Sequence, residues 1–189
     1  MWDALLHIDR DLLLELNGWG GPGWDRFWLL VSDKWVALPL YLFLVIFFGK
    51  QWGWKRLLLG LVCIGLLLTA TDQLANFFKY GVQRLRPCHE PELTGLLRLV
   101  KPNCGGQFGY FSAHAANAMG VAVFFIALWV KKYRLGMILL LLWALTVGYS
   151  RIYLGVHYPL DVISGFLAGG FMGWLFAKLF EKAATKFIR

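Results

Sequence analysis

Runs such as LLLGLVCIGLLL at 57–68 and MILLLLWAL at 137–145 carry no charge and show no alternation of polar with apolar residues. A chain of 189 residues cannot hide several such runs from water, because a domain that small keeps a large surface for its volume. Crossing a hydrocarbon core of ~30 Å takes about 20 mostly apolar residues in helical form. Four segments approach that length, at 57–78, 115–130, 135–149 and 160–180. A fifth at 35–49 is shorter and reaches a full span by borrowing 27–31 upstream. Helices satisfy their own backbone groups in lipid, whereas barrel strands need the alternation these runs lack. Apolar residues make up 59% and charged residues 16%, against about 25% charged in a soluble domain, which argues against both a soluble globular chain and a disordered one. The expected fold is all-α, a polytopic transmembrane helix bundle of five spanning helices forming one domain over 1–189.

The first seventeen residues, MWDALLHIDRDLLLELN, place Leu5, Ile8, Leu12 and Leu13 near helical spacing among Asp3, Asp9, Arg10, Asp11 and Glu15. That pattern predicts an amphipathic helix in the membrane interface, with a sixth short span as the alternative. It lacks the basic start and continuous apolar core of a signal peptide. The Gly-rich GWGGPGW then turns the chain toward the first span.

Orientation follows from Lys and Arg. Lys50, Lys55 and Arg56 lie between spans one and two, Lys131, Lys132 and Arg134 between three and four, and Lys178, Lys182, Lys186 and Arg189 after five. The positive-inside rule puts these on the cytoplasmic side, which leaves the amino terminus and the loops at 79–111 and 150–157 on the other. The net charge of +8 therefore belongs to topology and lipid headgroups, with no basic, aromatic-interleaved surface for nucleic acid. Cys63 falls inside span two as a small hydrophobe. Cys88 and Cys104 share the outer loop, where either a disulfide or two thiols fits the sequence. No CxxC or HExxH metal spacing occurs.

Charges near a membrane are costly, so a gathering of them on one face points to function. Three groups gather at the outer ends of spans two to five: Lys79, Arg86 and Pro87; Phe111, Ser112, Ala113 and His114; and Ser150, Arg151, His157 and Asp161. His157 and Asp161 are four apart and share a helix face, so the carboxylate can fix one ring nitrogen and leave the other as a nucleophile. Pro159 between them requires that the helix is only starting there, where its missing N–H costs nothing. His114 suits protonation of a leaving oxygen. Lys79, Arg86 and Arg151 supply positive charge for phosphate oxygens, and Ser112 either caps the following helix or gives its hydroxyl to phosphate. Together these residues compose a phosphoryl-transfer site that needs no metal. Arg26 and Lys34 read as interfacial cations, and His7 and His89 as interface or loop residues. Asp72 either faces the site or makes a polar contact between helices.

The three groups resemble the signature of the type 2 phosphatidic acid phosphatase superfamily, K-x6-R-P, P-S-G-H and S-R-x5-H-x3-D, a group that also includes the vanadium haloperoxidases. The first and third parts match in full. In the second, Phe111 stands for Pro and Ala113 for Gly, while Ser112 and His114 are kept. The resemblance implies a membrane-embedded phosphatase without cofactor or metal. His157 is then the nucleophile, Asp161 its orienter and His114 the acid, and Lys79, Arg86, Ser112, Ala113 (through its backbone) and Arg151 bind phosphate. It also implies a substrate carrying a terminal phosphate or diphosphate at headgroup depth: phosphatidic acid, phosphatidylglycerol phosphate, undecaprenyl diphosphate or lipid A. A bacterial inner-membrane enzyme with its site on the periplasmic face is the expected setting. The alternatives are a lipid phosphotransferase and a non-catalytic binder of anionic lipid. The sequence leaves the oligomeric state open.

Overall fold

The computed structural model describes residues 2–101, 103–129 and 131–188, with the side chain of Trp2 excepted. The expected end of the third span at Val130 lies outside them, as do Met1, Pro102 and Arg189. The helices are α1 (Trp2–Gly18), α2 (Pro22–Val31), α3 (Leu38–Val82), α4 (Ala113–Trp129), α5 (Arg134–Tyr153) and α6 (Pro159–Phe187). The protein is all-helical and integral to the membrane. On α3, α5 and α6 less than half of the most apolar stretch is buried inside the protein, leaving Phe43, Leu66, Leu139, Leu167 and Phe171 exposed to lipid.

The 45 residues of α3 are two rods. Gly53 sits at φ 79°, ψ 167°, a conformation open to glycine and strained for other residues. On either side of it Gly49 lies against Leu57, and Gly60 against the ring of Phe48, so the arms run antiparallel. The arm before Gly53 is the expected first span and the arm after it the second. Residues 27–31 do not extend the first arm, as the sequence led us to expect. Pro22 starts them as a separate helix, and the turns at 32–37 separate that helix from α3. Phe48 and Trp52 near the end of the first arm pack with Phe125 and Trp129 of α4 and Phe180 of α6 into an aromatic plug.

The helix α4 is the central rod, packed on α6, α5 and α3. Its closeness to α6 comes from glycines spaced one turn apart. A Cβ built on Gly165, Gly169 or Gly173 would lie 2.6 Å from the Ser112 carbonyl oxygen, 2.0 Å from that of Ala116 and 2.3 Å from that of Gly120. Small residues at four-residue intervals let two helix backbones touch, the usual means of packing in lipid. This contact sets the start of α4 beside the start of α6.

The amino-terminal helix departs from expectation. Leu5, Ile8 and Leu12 do point outward, as an interfacial helix requires. The opposite face, Asp9, Leu13 and Asn17 at four-residue spacing, is buried against the bundle. Leu13 packs among Leu93, Ile152, Tyr158 and Val162. The Asn17 amide donates to the carbonyl oxygens of Tyr153 (2.8 Å) and Arg98 (3.0 Å) and accepts from the Arg98 N–H (2.8 Å). It thereby satisfies a carbonyl that the end of α5 leaves unpaired. So α1 docks on the protein across the end of α5 and the start of α6, with the loop between α3 and α4 held to it by the Arg10–Glu92 ion pair.

Candidate active site

The segment after α3 begins the site. Gln83 ends the helix in the left-handed conformation, φ 55°, its N–H donating to the Lys79 carbonyl at 3.0 Å, which leaves Lys79 half-buried in the last turn. The chain then runs extended through Arg84, Leu85 and Arg86, as the residue before a proline prefers. Arg86 N–H donates to the Gln107 carbonyl at 3.0 Å and Gly109 N–H to the Arg84 carbonyl at 2.9 Å. In an extended stretch residues two apart share a face. Arg84 and Arg86 therefore both reach the loop between α5 and α6.

Pro159 begins α6, with Tyr158 extended before it, as the sequence required. The Tyr158 N–H donates to Asp161 Oδ2 at 3.0 Å, so the carboxylate caps the helix that carries it. The same oxygen lies 3.3 Å from His157 Nδ1. On the far side of the ring, Arg86 approaches His157 Nε2 at 3.2 Å. A guanidinium only donates, so Nε2 is the acceptor and the ring proton sits on Nδ1, facing Asp161. Both His157 and Asp161 are buried. Burial, followed by the charges of Arg86, Arg151 and Lys79, holds the His157 pKa well below the ordinary histidine range. The ring is therefore neutral, with its Nε2 lone pair facing Arg86.

The remaining predicted residues converge on the same place. Arg151, at the end of α5, is buried and donates to the Ser32 hydroxyl after α2. The Nε atoms of Arg86 and Arg151 are buried and meet no acceptor among the described residues, which fits them to an anion. Burial also lowers the pKa of Arg86, with Asp161 opposing the shift. Ser112 is buried, its N–H donating to the Asp161 backbone carbonyl at 2.9 Å, and its hydroxyl accepts a long bond from Ala115 N–H at 3.4 Å. It thus caps α4 while tying that helix to α6. Despite Phe111 in place of Pro, the helix still starts at Ala113, and the Phe111 ring is itself buried, packed with Ala75 and Ala116. Ser150 uses its hydroxyl within its own helix, donating to the Val147 carbonyl.

Ala113 and His114 line a cavity of about 490 Å³ between the α3 arms and α4. It is polar where Asp33, Lys34, Asp72 and Asn117 line it, and apolar where Leu61, Ile64 and Phe125 line it. Asp72 accepts from the Asn117 amide at 2.9 Å, so it serves as the contact between helices while also facing the cavity. Cys88 and Cys104 form a disulfide. With those sulfurs joined to each other, the one metal-like grouping among the described residues, Cys88, His89 and Cys104, offers a cation a single imidazole.

A family model described as the PAP2 superfamily matches residues 57–184. The chain belongs to the PAP2 superfamily. It is 39% identical to a lipid A 4'-phosphatase of Bacteroides thetaiotaomicron over 98% of this chain and 83% of that protein. It is 32% identical to a lipid A 4'-phosphatase of Porphyromonas gingivalis, covering 98% and 78%. Among solved structures, Aquifex aeolicus LpxE superposes with a TM-score of 0.63 at 28% identity, over 89% of this chain and 93% of that one. The fold is shared with a phosphatidylglycerolphosphate phosphatase of Bacillus subtilis at a TM-score of 0.70 and 22% identity, over 97% and 89%. The protein is an integral membrane lipid phosphate phosphatase of this superfamily.

Two charged residues of this PAP2 protein escaped the sequence reading. Arg84 donates to Asp161 Oδ1 at 3.1 Å and to Asp9 Oδ2 at 2.6 Å, and its guanidinium lies 3.8 Å over the Tyr158 ring. Asp9 Oδ1 in turn accepts from the Leu160 N–H at 2.8 Å. The only local signal was the R-x-R spacing ahead of Pro87, because Asp9 lies 75 residues from its partner.

Proposed function

We propose that this protein removes a phosphate monoester from a lipid A-type glycolipid, through a phosphohistidine on His157. The carrying observation is the line Arg86, His157, Asp161, which leaves Nε2 unprotonated and aimed among cations. His157 Nε2 gives its lone pair to phosphorus, and the bond from phosphorus to the lipid oxygen breaks. Asp161 accepts the Nδ1–H and stabilises the positive charge the ring acquires. His114 gives its proton to the departing lipid oxygen and then takes one from water, which attacks phosphorus. The P–N bond breaks, its electron pair returns to Nε2, and inorganic phosphate leaves. Arg86, Arg151 and Lys79, the Ser112 hydroxyl and the Ala113 N–H hold the phosphate oxygens.

The cavity beside His114 supports a lipid substrate, since its apolar end takes a tail and its polar end a headgroup. The two relatives named as lipid A 4'-phosphatases favour a glycolipid over the glycerol lipids. The fold reads as a single domain with five crossings, the two α3 arms counting separately. The distribution of Lys and Arg favours a site on the extracytoplasmic face.

The test is a panel of detergent-solubilised lipids in EDTA, reading released phosphate: lipid A, phosphatidic acid, phosphatidylglycerol phosphate and undecaprenyl diphosphate. Lipid A is expected to give the highest kcat/KM, with the 4'-phosphate missing from the product mass spectrum. Preference for another lipid overturns the substrate assignment, and loss of turnover on chelation overturns the mechanism.

A further inference from the structure

We infer that Arg84 is a positioning residue for the reaction, and that the amino-terminal helix, through Asp9, holds it in place. The inference rests on the proposed roles of His157 and Asp161. A carboxylate that orients an imidazole must stay ionised, and Asp161 is fully buried, where an uncompensated charge is costly. Its Oδ2 is occupied by His157 and the Tyr158 N–H, so the charge rests on what meets Oδ1, and that is Arg84.

Arg84 is itself fixed from three sides. Its second terminal nitrogen is engaged by Asp9, its plane lies on the Tyr158 ring, and its backbone carbonyl accepts from Gly109. A guanidinium held by a carboxylate at each of its two ends has little rotamer freedom. Asp9 is buried on α1, and the two bonds it accepts, from Arg84 and from the Leu160 N–H, tie α1 to the first turn of α6. Burial raises the Asp9 pKa, and the Arg84 bond opposes that rise. The charges alternate along the line, Asp9 negative, Arg84 positive, Asp161 negative, so each supports the next. Among the described residues Arg84 makes no hydrogen bond to His157 and does not line the cavity beside His114, so its effect on the ring passes through Asp161.

The experiment uses the full chain in detergent, assayed with p-nitrophenyl phosphate and with a lipid phosphate. The variants are Arg84→Gln, Arg84→Lys, Asp9→Asn, Asp161→Asn and the Arg84→Gln/Asp161→Asn double. Arg84→Gln is expected to lower kcat by about 10²-fold, the usual effect of a misplaced catalytic group, with KM within about twofold on both substrates. Arg84→Lys recovers part of the loss, and Asp9→Asn lowers kcat by about tenfold. The double variant is expected to be no slower than Asp161→Asn alone, since groups acting as a unit are not additive. A merely structural arginine gives multiplying losses and a raised KM, and either result overturns the inference. Should Arg84→Gln fail to fold, Arg84→Lys and Asp9→Asn carry the test, and wild-type kcat in both overturns it. Full turnover by Asp161→Asn overturns the proposed mechanism and this inference together, whereas loss in Asp161→Asn with normal Arg84 variants overturns this inference alone.

Discussion

Two adjacent glycines on α6 should respond to the same small change in opposite ways. A methyl on Gly169 would lie 2.0 Å from the Ala116 carbonyl oxygen and 2.7 Å from its carbonyl carbon and Cα, all backbone atoms of a neighbouring helix that cannot rotate away. Ordinary contact begins near 3.4 Å, so Gly169→Ala forces α4 and α6 apart by about 1.4 Å at that level. Overpacking of this kind costs about 1–3 kcal/mol. The larger effect falls on the site. The start of α4 carries His114, Ser112 and Ala113, and its Ser112 N–H bond to the Asp161 carbonyl spans only 2.9 Å. Displacement of reacting groups by an ångström costs about 10²-fold in rate. A methyl on Gly170 meets Met119 Cγ at 3.7 Å and Val123 Cγ2 at 3.8 Å, ordinary contacts with flexible side chains. Gly170→Ala should therefore keep full turnover and gain about 0.5–1 kcal/mol, the usual benefit of alanine over glycine within a helix. Thermal unfolding in detergent and phosphate release from p-nitrophenyl phosphate measure both effects. Equal activity and equal unfolding midpoints in the two variants would refute the backbone-contact account of how the site is assembled.

Other outcomes follow from the same geometry. Because burial and neighbouring cations lower the His157 pKa, the ring takes up its proton only well below pH 6.5. The acid limb of kcat/KM, corrected for the substrate's own ionisation, should then lie below that value, and Arg86→Gln should move it upward by removing a positive charge. A limb at or above 6.5 in the wild type contradicts the neutral-nucleophile reading. His114→Ala should lose about 10²–10⁴-fold in kcat/KM, which reports only the step that forms the phosphohistidine, on a lipid phosphate and much less on p-nitrophenyl phosphate, whose leaving group needs no proton; equal losses in kcat/KM on both would remove His114 as the acid. The Cys88–Cys104 bond closes a loop across a separation of 16 residues, so replacing both by Ala should cost about 3 kcal/mol, seen as a lower unfolding midpoint. No change in midpoint would show that the loop is held by its other contacts.

Much of the fold was legible because lipid imposes a local rule: a segment that must bond its own backbone and face hydrocarbon announces itself residue by residue. The error at 27–31 shows the limit of that rule. Those residues are as apolar as a span, yet Pro22 and the turn at Ser32–Asp33–Lys34 make them a separate helix under the site. Likewise the amphipathic pattern of 1–17 did not reveal that Asp9 and Asn17 face the protein. An amphipathic pattern tells which residues share a face but not which face is covered, because charge pairing can bury the polar one. The His157–Asp161 contact was readable since four residues is one helical turn.

By itself the sequence determined the solvent, most of the rods and the set of candidate site residues, for these depend on composition and spacing within a turn or two. Tertiary structure alone decided that α4 lies backbone to backbone on α6 and that Asp9 meets Arg84. Such contacts join residues tens of positions apart, and the energy that selects them depends on distance and burial in space, which local periodicity does not encode.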